Sequence, residues 1–303
     1  MDTKPASQLS TTAPERRFYS KTRAFGRFGM RIFPPVTMER PHWHGHLELN
    51  FIRNAAMHYI IDGEKITVEP GQLLVFWAGI PHQLVKVESR NEDRAELCNL
   101  YLPLDSFLFM PYIPSLQVAM VAGGMIHVSK ELCDWPTMQR WYLDYRSNDT
   151  ERVECLKMEL NALFRRSSLE DFQFVRNPWR GSEIRSGIAS SHVRHVVAMV
   201  RHVLENLDKP LHNEDVTRLT GLHTNYALTL FSKTMQMPLT KFIIRMRLLR
   251  ARGLLLESNL AISSIAVESG FNSMSQFYQH FSTAYGTTPK QLRESYISKS
   301  KRQ

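Results

Sequence analysis

The spacing of apolar positions changes character twice along this chain. From Arg31 to about Leu104 they come in short runs and alternations broken by turn residues, which is the texture of strands. MHYIIDGEKITVEPG predicts a hairpin, with Asp62-Gly63 at its turn and Pro70-Gly71 closing the second strand. LLVFWAGIPHQLVKV predicts two strands around a Gly-Ile-Pro turn. Several short strands at this spacing predict an antiparallel sandwich or barrel. After about residue 130 the period becomes helical. In TERVECLKMELNALFRR, Val153, Leu156, Leu160, Leu163 and Phe164 share one face, which packs on the chain's own sheet or on a second subunit. Residues 177–191, rich in Gly, Ser and Asn, predict an interdomain linker, and a helix follows from near Ser191 to about Asn206. Residues 1–30 are polar and basic without periodicity, as a flexible arm would be. The predicted organisation is an arm at 1–30, a β-rich domain at 31–176, the linker at 177–191 and a helical domain at 192–303.

The helical domain repeats a single pattern, as NEDVTRLTGLHTNYALTLF at 213–231 and AISSIAVESGFNSMSQFYQHF at 261–281. Each copy has an aliphatic residue (Val216, Ile265) five positions before a glycine (Gly221, Gly270). Each also has a phenylalanine (Phe231, Phe281) late in the following segment. This is helix-turn-helix spacing: glycine lets the chain reverse, the apolar positions join the helices, and the second helix is free to enter a DNA major groove. PLTKFIIRMRLLRARGLLLES, between the copies, predicts a helix capped by Thr240. Ile243, Met246, Leu249 and Leu254 share its apolar face, and Arg245, Arg247, Arg250 and Arg252 make it basic. A long helix there would hold two recognition helices for successive major grooves on one side of the duplex.

Charge sharpens that reading because it is uneven. From His192 to Gln303 there are 15 lysines and arginines against 7 acidic residues, so +8 of the chain's +9 lies with the repeated motif. Such a balance is what phosphate neutralisation requires. At 43% hydrophobic and 22% charged residues, the 303-residue chain is long enough for two globular domains. No apolar run approaches a membrane span, and the N-terminus lacks the apolar core of a secretory signal, so a cytoplasmic location is expected. Cys98, Cys133 and Cys155 are far apart and odd in number, as reduced thiols would be.

The C-terminal portion, from about Val193 to Tyr296, resembles the AraC/XylS family of transcription regulators. The signature is carried by Ile265-Ala266, Gly270-Phe271, Ser275-Gln276-Phe277, Phe281, Gly286 and Pro289 to Arg293. The first copy departs from it, with Thr217 where the family has a small alanine and Ala227 where it has leucine. The resemblance implies an α+β protein of two domains: a cupin-like antiparallel β-barrel or jelly roll with helices, then an all-α tandem helix-turn-helix domain. It implies a regulator and not an enzyme, with promoter DNA, a small-molecule effector and RNA polymerase as partners, a possible homodimer, and no cofactor. HWHG, LLVFWAGIPHQL and NYALTLF are most similar to an activator of sugar-utilisation genes within the family.

Base-reading positions should lie on the outer face near the start of each recognition helix. With Tyr226, Leu230 and Phe231 read as core, the first helix exposes Thr224, Asn225, Leu228 and Thr229. With Phe277 and Phe281 read as core, the second exposes Met274, Ser275, Tyr278 and Gln279. Asn and Gln pair bidentately with adenine, and Leu228 and Met274 suit thymine methyls. Lys233, Lys241, Arg245, Arg247 and Lys290 are candidate phosphate contacts.

PHWHGHLELNF is the richest local feature of the first domain. As a strand it sends His42, His44, His46, Glu48 and Asn50 to one face and Trp43, Leu47, Leu49 and Phe51 to the other. A sugar effector needs hydroxyl partners, for which His42, His44, Glu48, His82, Gln83 and Asn99 are candidates. It also needs an aromatic platform, supplied by Trp43 or Trp77 unless these only pack the sheet. Similarity to sugar-sensing relatives adds Arg40. The order HxHxxxE with a distant histidine also resembles the cupin fold, whose metal ligands would here be His42, His44, Glu48 and His82. A metal-dependent cupin enzyme joined to a DNA-binding domain, and a family regulator that senses something other than sugar, therefore stand as rival readings.

Overall fold

The computed structural model describes residues 28–90, 92–169, 173–179 and 190–300, with side chains at 190, 191, 257 and 296–300 left aside. Residues 1–27 of the expected arm and 180–189 of the expected linker lie outside the described residues. Gly29 and Met30 already belong to a strand, and Ser190 to a helix, so both segments end sooner than the sequence suggests.

Nine strands and four helices build the first domain, among the described residues. Strands β1 (Gly29–Phe33), β2 (His46–Arg53), β3 (Ala55–Ile61), β4 (Glu64–Val68), β5 (Leu73–Trp77), β6 (His82–Ser89) and β7 (Glu96–Pro103) come first. Helices α1 (Leu104–Phe109) and α2 (Pro114–Val121), strand β8 (Met125–Val128), helices α3 (Trp135–Arg146) and α4 (Thr150–Leu169), and strand β9 (Gln173–Arg176) follow. They form two antiparallel sheets, β1-β7-β2-β5-β8-β9 and β4-β3-β6. The four-residue strands β8 and β9 are not foreseen by periodicity, because so short a stretch carries no period.

The β3–β4 hairpin forms at Asp62-Gly63, both at positive φ (50° and 83°), as a primed two-residue turn demands. The segment from Ala78 to Pro81 instead carries the chain from β5 in the large sheet to β6 in the small one. Register then assigns faces. On β2 and β5, Leu47 pairs with Trp77 and Leu49 with Val75, on the face that packs against helices. Glu48 pairs with Phe76 and Asn50 with Leu74, on the face between the sheets. Leu156, Leu160, Leu163 and Phe164 of α4 are buried with Trp141 and Phe107, so the α4 stripe packs within its own chain.

The second half runs α5 (Ser190–Glu205), α6 (Asn213–Arg218), α7 (Thr224–Met235), α8 (Leu239–Glu257), α9 (Ile262–Glu268), α10 (Met274–Tyr285) and α11 (Pro289–Ser300). Val216, Phe231, Ile265 and Phe281 are fully buried, as the repeated spacing requires. Thr217 is buried too, and its hydroxyl donates to the Asn213 carbonyl at 2.9 Å, so a threonine at this position leaves no orphaned donor. Helix α8 begins at Leu239 after Pro238, which places Thr240 inside the first turn and not at the cap.

The two helix-turn-helix units are anchored differently. The first shares one continuous core with the helical layer of the β domain, through Val196, Val200 and Val203 of α5. Arg201 ties that seam, its Nε donating to the Leu108 carbonyl at 2.5 Å. The second has its own core of Leu248, Ala251, Ile265, Phe271, Phe277 and Phe281. Arg293 clips α11 onto it, donating to the carbonyls of Leu255 (3.2 Å) and Leu260 (2.8 Å).

Candidate functional site

The polar alternation of β2 faces the interior between the two sheets. The strand starts only at His46; His42 enters through a backbone bridge to His82, each amide donating to the other's carbonyl at 3.0 Å. That bridge sets the His42 and His82 rings 4.2 Å apart. Glu48 lies at the centre. His44 Nε2 is 2.8 Å from its Oε1, and His82 Nε2 is 3.7 Å from the same oxygen. Asn50 Nδ2 donates to Oε2 at 2.9 Å and Asn99 Nδ2 at 3.4 Å. Asn99 also donates to Asn50 Oδ1, and His44 and His46 meet through their Nδ1 atoms at 3.3 Å.

Burial decides the electrostatics. His44, His46, Glu48, Asn50, His82 and Asn99 are all buried. Burial pushes His42 down to about 2, with His82 and His44 adding to the effect, so its ring is neutral. His44 is lowered by burial against the opposing pull of Glu48. For Glu48 burial works the other way, but hydrogen bonding from His44 and His82 outweighs it and holds the carboxyl well below its usual range. The guanidinium of Arg252, on α8, is among the charges that lower His42 and His44.

Of the residues singled out in the first domain, His42, His44, Glu48, His82 and Asn99 come together. Three do not. Trp77 is fully buried on the opposite face of β5, paired with Leu47 against the helical layer, because strand side chains alternate. Gln83 points away for the same reason: its neighbours His82 and Leu84 face inward, and its Nε2 donates to the Met38 carbonyl at 2.8 Å. Arg40 is exposed at a bend before the bridge. Two tyrosines join the cluster without having been singled out by sequence. Tyr59 accepts from Asn50 at 3.4 Å, and Tyr101 pairs with Glu48 across β2 and β7 and accepts from Arg31 at 2.7 Å. The alternation Asn99-x-Tyr101 between buried leucines is the available signal.

Trp43, between two cluster histidines, leaves the β domain altogether. Its ring stacks on Tyr285 at the end of α10, with centroids 4.2 Å apart and planes 13° apart. Beside it Arg245 of α8 donates to the Gly79 carbonyl and lies over the Trp77 ring at 5.0 Å. Burial lowers Arg245 to about 10, which leaves it charged at neutral pH.

The residues of the expected DNA face differ in exposure. Asn225, Thr229, Ser275 and Gln279 are exposed, and Met274 is 40% exposed. Thr224, Leu228 and Tyr278 are half-buried, Leu228 leaning on the core. Tyr226, read as core, is 49% exposed and its hydroxyl lies 3.3 Å from His192 Nε2. Lys233, Lys241 and Lys290 are exposed. Arg245 and Arg247 are not free to meet phosphates: the first is in the seam just described, and the second donates to the carbonyls of Leu207 (3.1 Å) and Lys209 (2.8 Å). Ser273 caps α10 by accepting from the Gln276 amide at 3.4 Å, which orients the start of that helix.

Comparison with known proteins agrees with both halves. Residues 29–92 match the family described as Cupin domain, and residues 216–295 the family described as Helix-turn-helix domain. The chain is 28% identical over 283 residues to the melibiose operon regulatory protein of Escherichia coli K12, covering 92% of this chain and 91% of that one. It is 28% identical over 140 residues to regulatory protein PocR of Salmonella typhimurium, covering 46% of this chain and 44% of that one. Among solved structures, a lysine-to-alanine variant of apo ToxT from Vibrio cholerae shares the fold at 11% identity. Its TM-score is 0.53, over 88% of this chain and 96% of that one. A cupin domain followed by a helix-turn-helix domain, on a chain similar over 92% of its length to a bacterial regulatory protein, supports a DNA-binding transcription regulator similar to those of the AraC type.

Proposed function

We propose that this regulator activates sugar-utilisation genes, with α-galactosides as its effector class. The effector would be bound in the cupin domain by His42, His44, Glu48, His82 and Asn99. One observation carries ligand control: Trp43, flanked by cluster histidines, is stacked on Tyr285 of the DNA-binding half. The buried polar groups cannot meet a ligand without local movement, and the segment to be moved is the one anchored on α10. An effector can shift transcription only by binding two states of the protein unequally, and breaking or keeping this stack distinguishes two such states. Similarity to the melibiose operon regulatory protein supports the sugar class. Tyr101 and Phe76, whose rings border His44 and His82, replace Trp77 as the aromatic surface.

On DNA, Asn225, Thr229, Ser275 and Gln279 would read base edges, with Thr224, Leu228, Met274 and Tyr278 beside them. Lys233, Lys241 and Lys290 would contact phosphates. Activation would proceed through RNA polymerase at the promoter, by one chain or a homodimer. The test is calorimetric titration with melibiose, raffinose, galactose and unrelated sugars, alone and with promoter DNA. Saturable binding that discriminates among them supports the proposal. Absence of binding to every sugar removes the effector class and leaves the DNA-binding regulator in place.

A further inference from the structure

We propose that Tyr226 and His192 form a pair that grips a DNA phosphate at the edge of the first recognition helix, outside the positions that read bases. The proposal rests on the reading of α7 as a recognition helix and not on the effector class.

Tyr226 is the third residue of α7 and stands between exposed Asn225 and fully buried Ala227. At about 3.6 residues per turn, its side chain leaves the helix about 100° from Asn225 and about 60° from Thr229, but only about 20° from Lys233, two turns further on. The exposed surface of α7 therefore runs from Asn225 through Thr229 to a flank that Lys233 and Tyr226 share. A helix seated in the major groove reads base edges with its leading face and meets phosphates along its flanks.

The chemistry at Tyr226 suits the flank. Its ring is 49% exposed, and its hydroxyl lies 3.3 Å from Nε2 of His192, which comes from α5. A phenol hydroxyl both donates and accepts. With the imidazole N–H donating to its oxygen, the hydroxyl keeps its own hydrogen for an outside acceptor, and a phosphate oxygen is an acceptor only. Packing does not require the pair. Val196 and Val200 of α5 and Ala227 and Phe231 of α7, all buried, already share one core, and an exposed hydrogen bond adds little to it. The second unit has Gln276 at the same place, third in α10, exposed and beside fully buried Phe277. Both units thus keep this position out of the core, and in the first a partner side chain aims it.

The experiment uses full-length protein and a duplex that the protein itself selects from random sequence, with binding read by fluorescence anisotropy. Tyr226→Phe, which keeps the ring, should weaken binding about 3- to 10-fold on the selected duplex and on random DNA alike. Its salt slope should match the wild type because no charge is lost, whereas Lys233→Ala should lower the slope by roughly one. Duplexes in which single phosphates are replaced by neutral methylphosphonates then locate the contact. One replacement should weaken the wild type and have little further effect on Tyr226→Phe. His192→Ala should lose the same factor, with no further loss in the double variant, and His192→Gln, which retains a donor, should bind like the wild type. Undiminished binding by Tyr226→Phe, a loss confined to the selected duplex, or equal sensitivity of both proteins at every phosphate would overturn the proposal. Asn225→Ala tests the reading beneath it. A loss there with none in Tyr226→Phe sinks only the pair, and no loss in either sinks α7 as a recognition helix as well.

Discussion

Trp43 lies flat against Tyr285, ring centroids 4.2 Å apart, and so links the His42–His44 segment of the cupin domain to the C-terminal end of α10. Tyr285 in turn donates its hydroxyl to the Leu248 carbonyl of α8 at 3.3 Å, and α8 is the helix between the two helix-turn-helix units. A disturbance at the histidines therefore has a short path of packed groups to both DNA-binding units. If the stack couples the halves, a double-mutant cycle with Trp43→Ala and Tyr285→Ala should give an interaction of about 0.5–1.5 kcal/mol in urea unfolding. Additive losses would show that the stack stabilises nothing.

Arg245 and Lys241 share a helix but not a role. Lys241→Ala should lower the salt slope of DNA binding by roughly one, the signature of a lost phosphate contact. Arg245→Ala should leave the slope unchanged and instead lower the unfolding midpoint, because its guanidinium is committed to the Gly79 carbonyl and the Trp77 ring. A reduced slope in the Arg245 variant would return that residue to the DNA face.

The two turn glycines differ in what surrounds them. Gly221 has φ 67° and open space where a Cβ would go, so Gly221→Ala should cost about 1 kcal/mol of backbone strain. At Gly270, φ is 88° and a Cβ would fall 1.9 Å from the Leu207 carbonyl oxygen. Gly270→Ala should cost at least ~3 kcal/mol, because the obstacle is backbone and the strain adds to it. Equal losses in chemical denaturation would contradict this.

Gln279, exposed on α10, should lose ~1–3 kcal/mol of binding to its cognate site on substitution by alanine, if it reads adenine bidentately. The same variant should bind random DNA as before. A uniform loss on both would make it a positioning contact.

Stability should decline as pH falls below about 6.5. His42 and His44 are held below their ordinary value in the fold, chiefly by burial, with His82 and Arg252 adding to it and Glu48 opposing. The unfolded chain therefore takes up protons there that the folded chain refuses, at up to ~1.4 kcal/mol per pH unit for each histidine. The depressed Glu48 works in the same sense: its contribution is present above the usual carboxylate range and is lost on further acidification. Urea midpoints from pH 8 to pH 5 test this, and a flat profile would mean the rings protonate without cost.

Much of this protein is legible in its sequence because the signals are local. The Asp62-Gly63 turn, the twin spacings around Gly221 and Gly270, and the apolar face of α8 each depend on residues a few positions apart. The order His42, His44, Glu48 with a distant His82 is legible as a set as well. Strands β8 and β9 are too short to show a period, and Tyr226, core by pattern, lies half-exposed with its hydroxyl beside His192.

By itself the sequence determined which residues share a face, since strand and helix periods do that without reference to anything else. Only the tertiary structure decided what each face meets. Register across β2 and β5 turned Trp77 toward the helical layer and the polar alternation toward the space between the sheets. Packing of α8 against Gly79 and against the loop after α5 turned Arg245 and Arg247 from candidate phosphate ligands into clasps for backbone carbonyls. An arginine's long apolar stem and five donors serve either purpose, and which one it serves depends on groups that are distant in sequence.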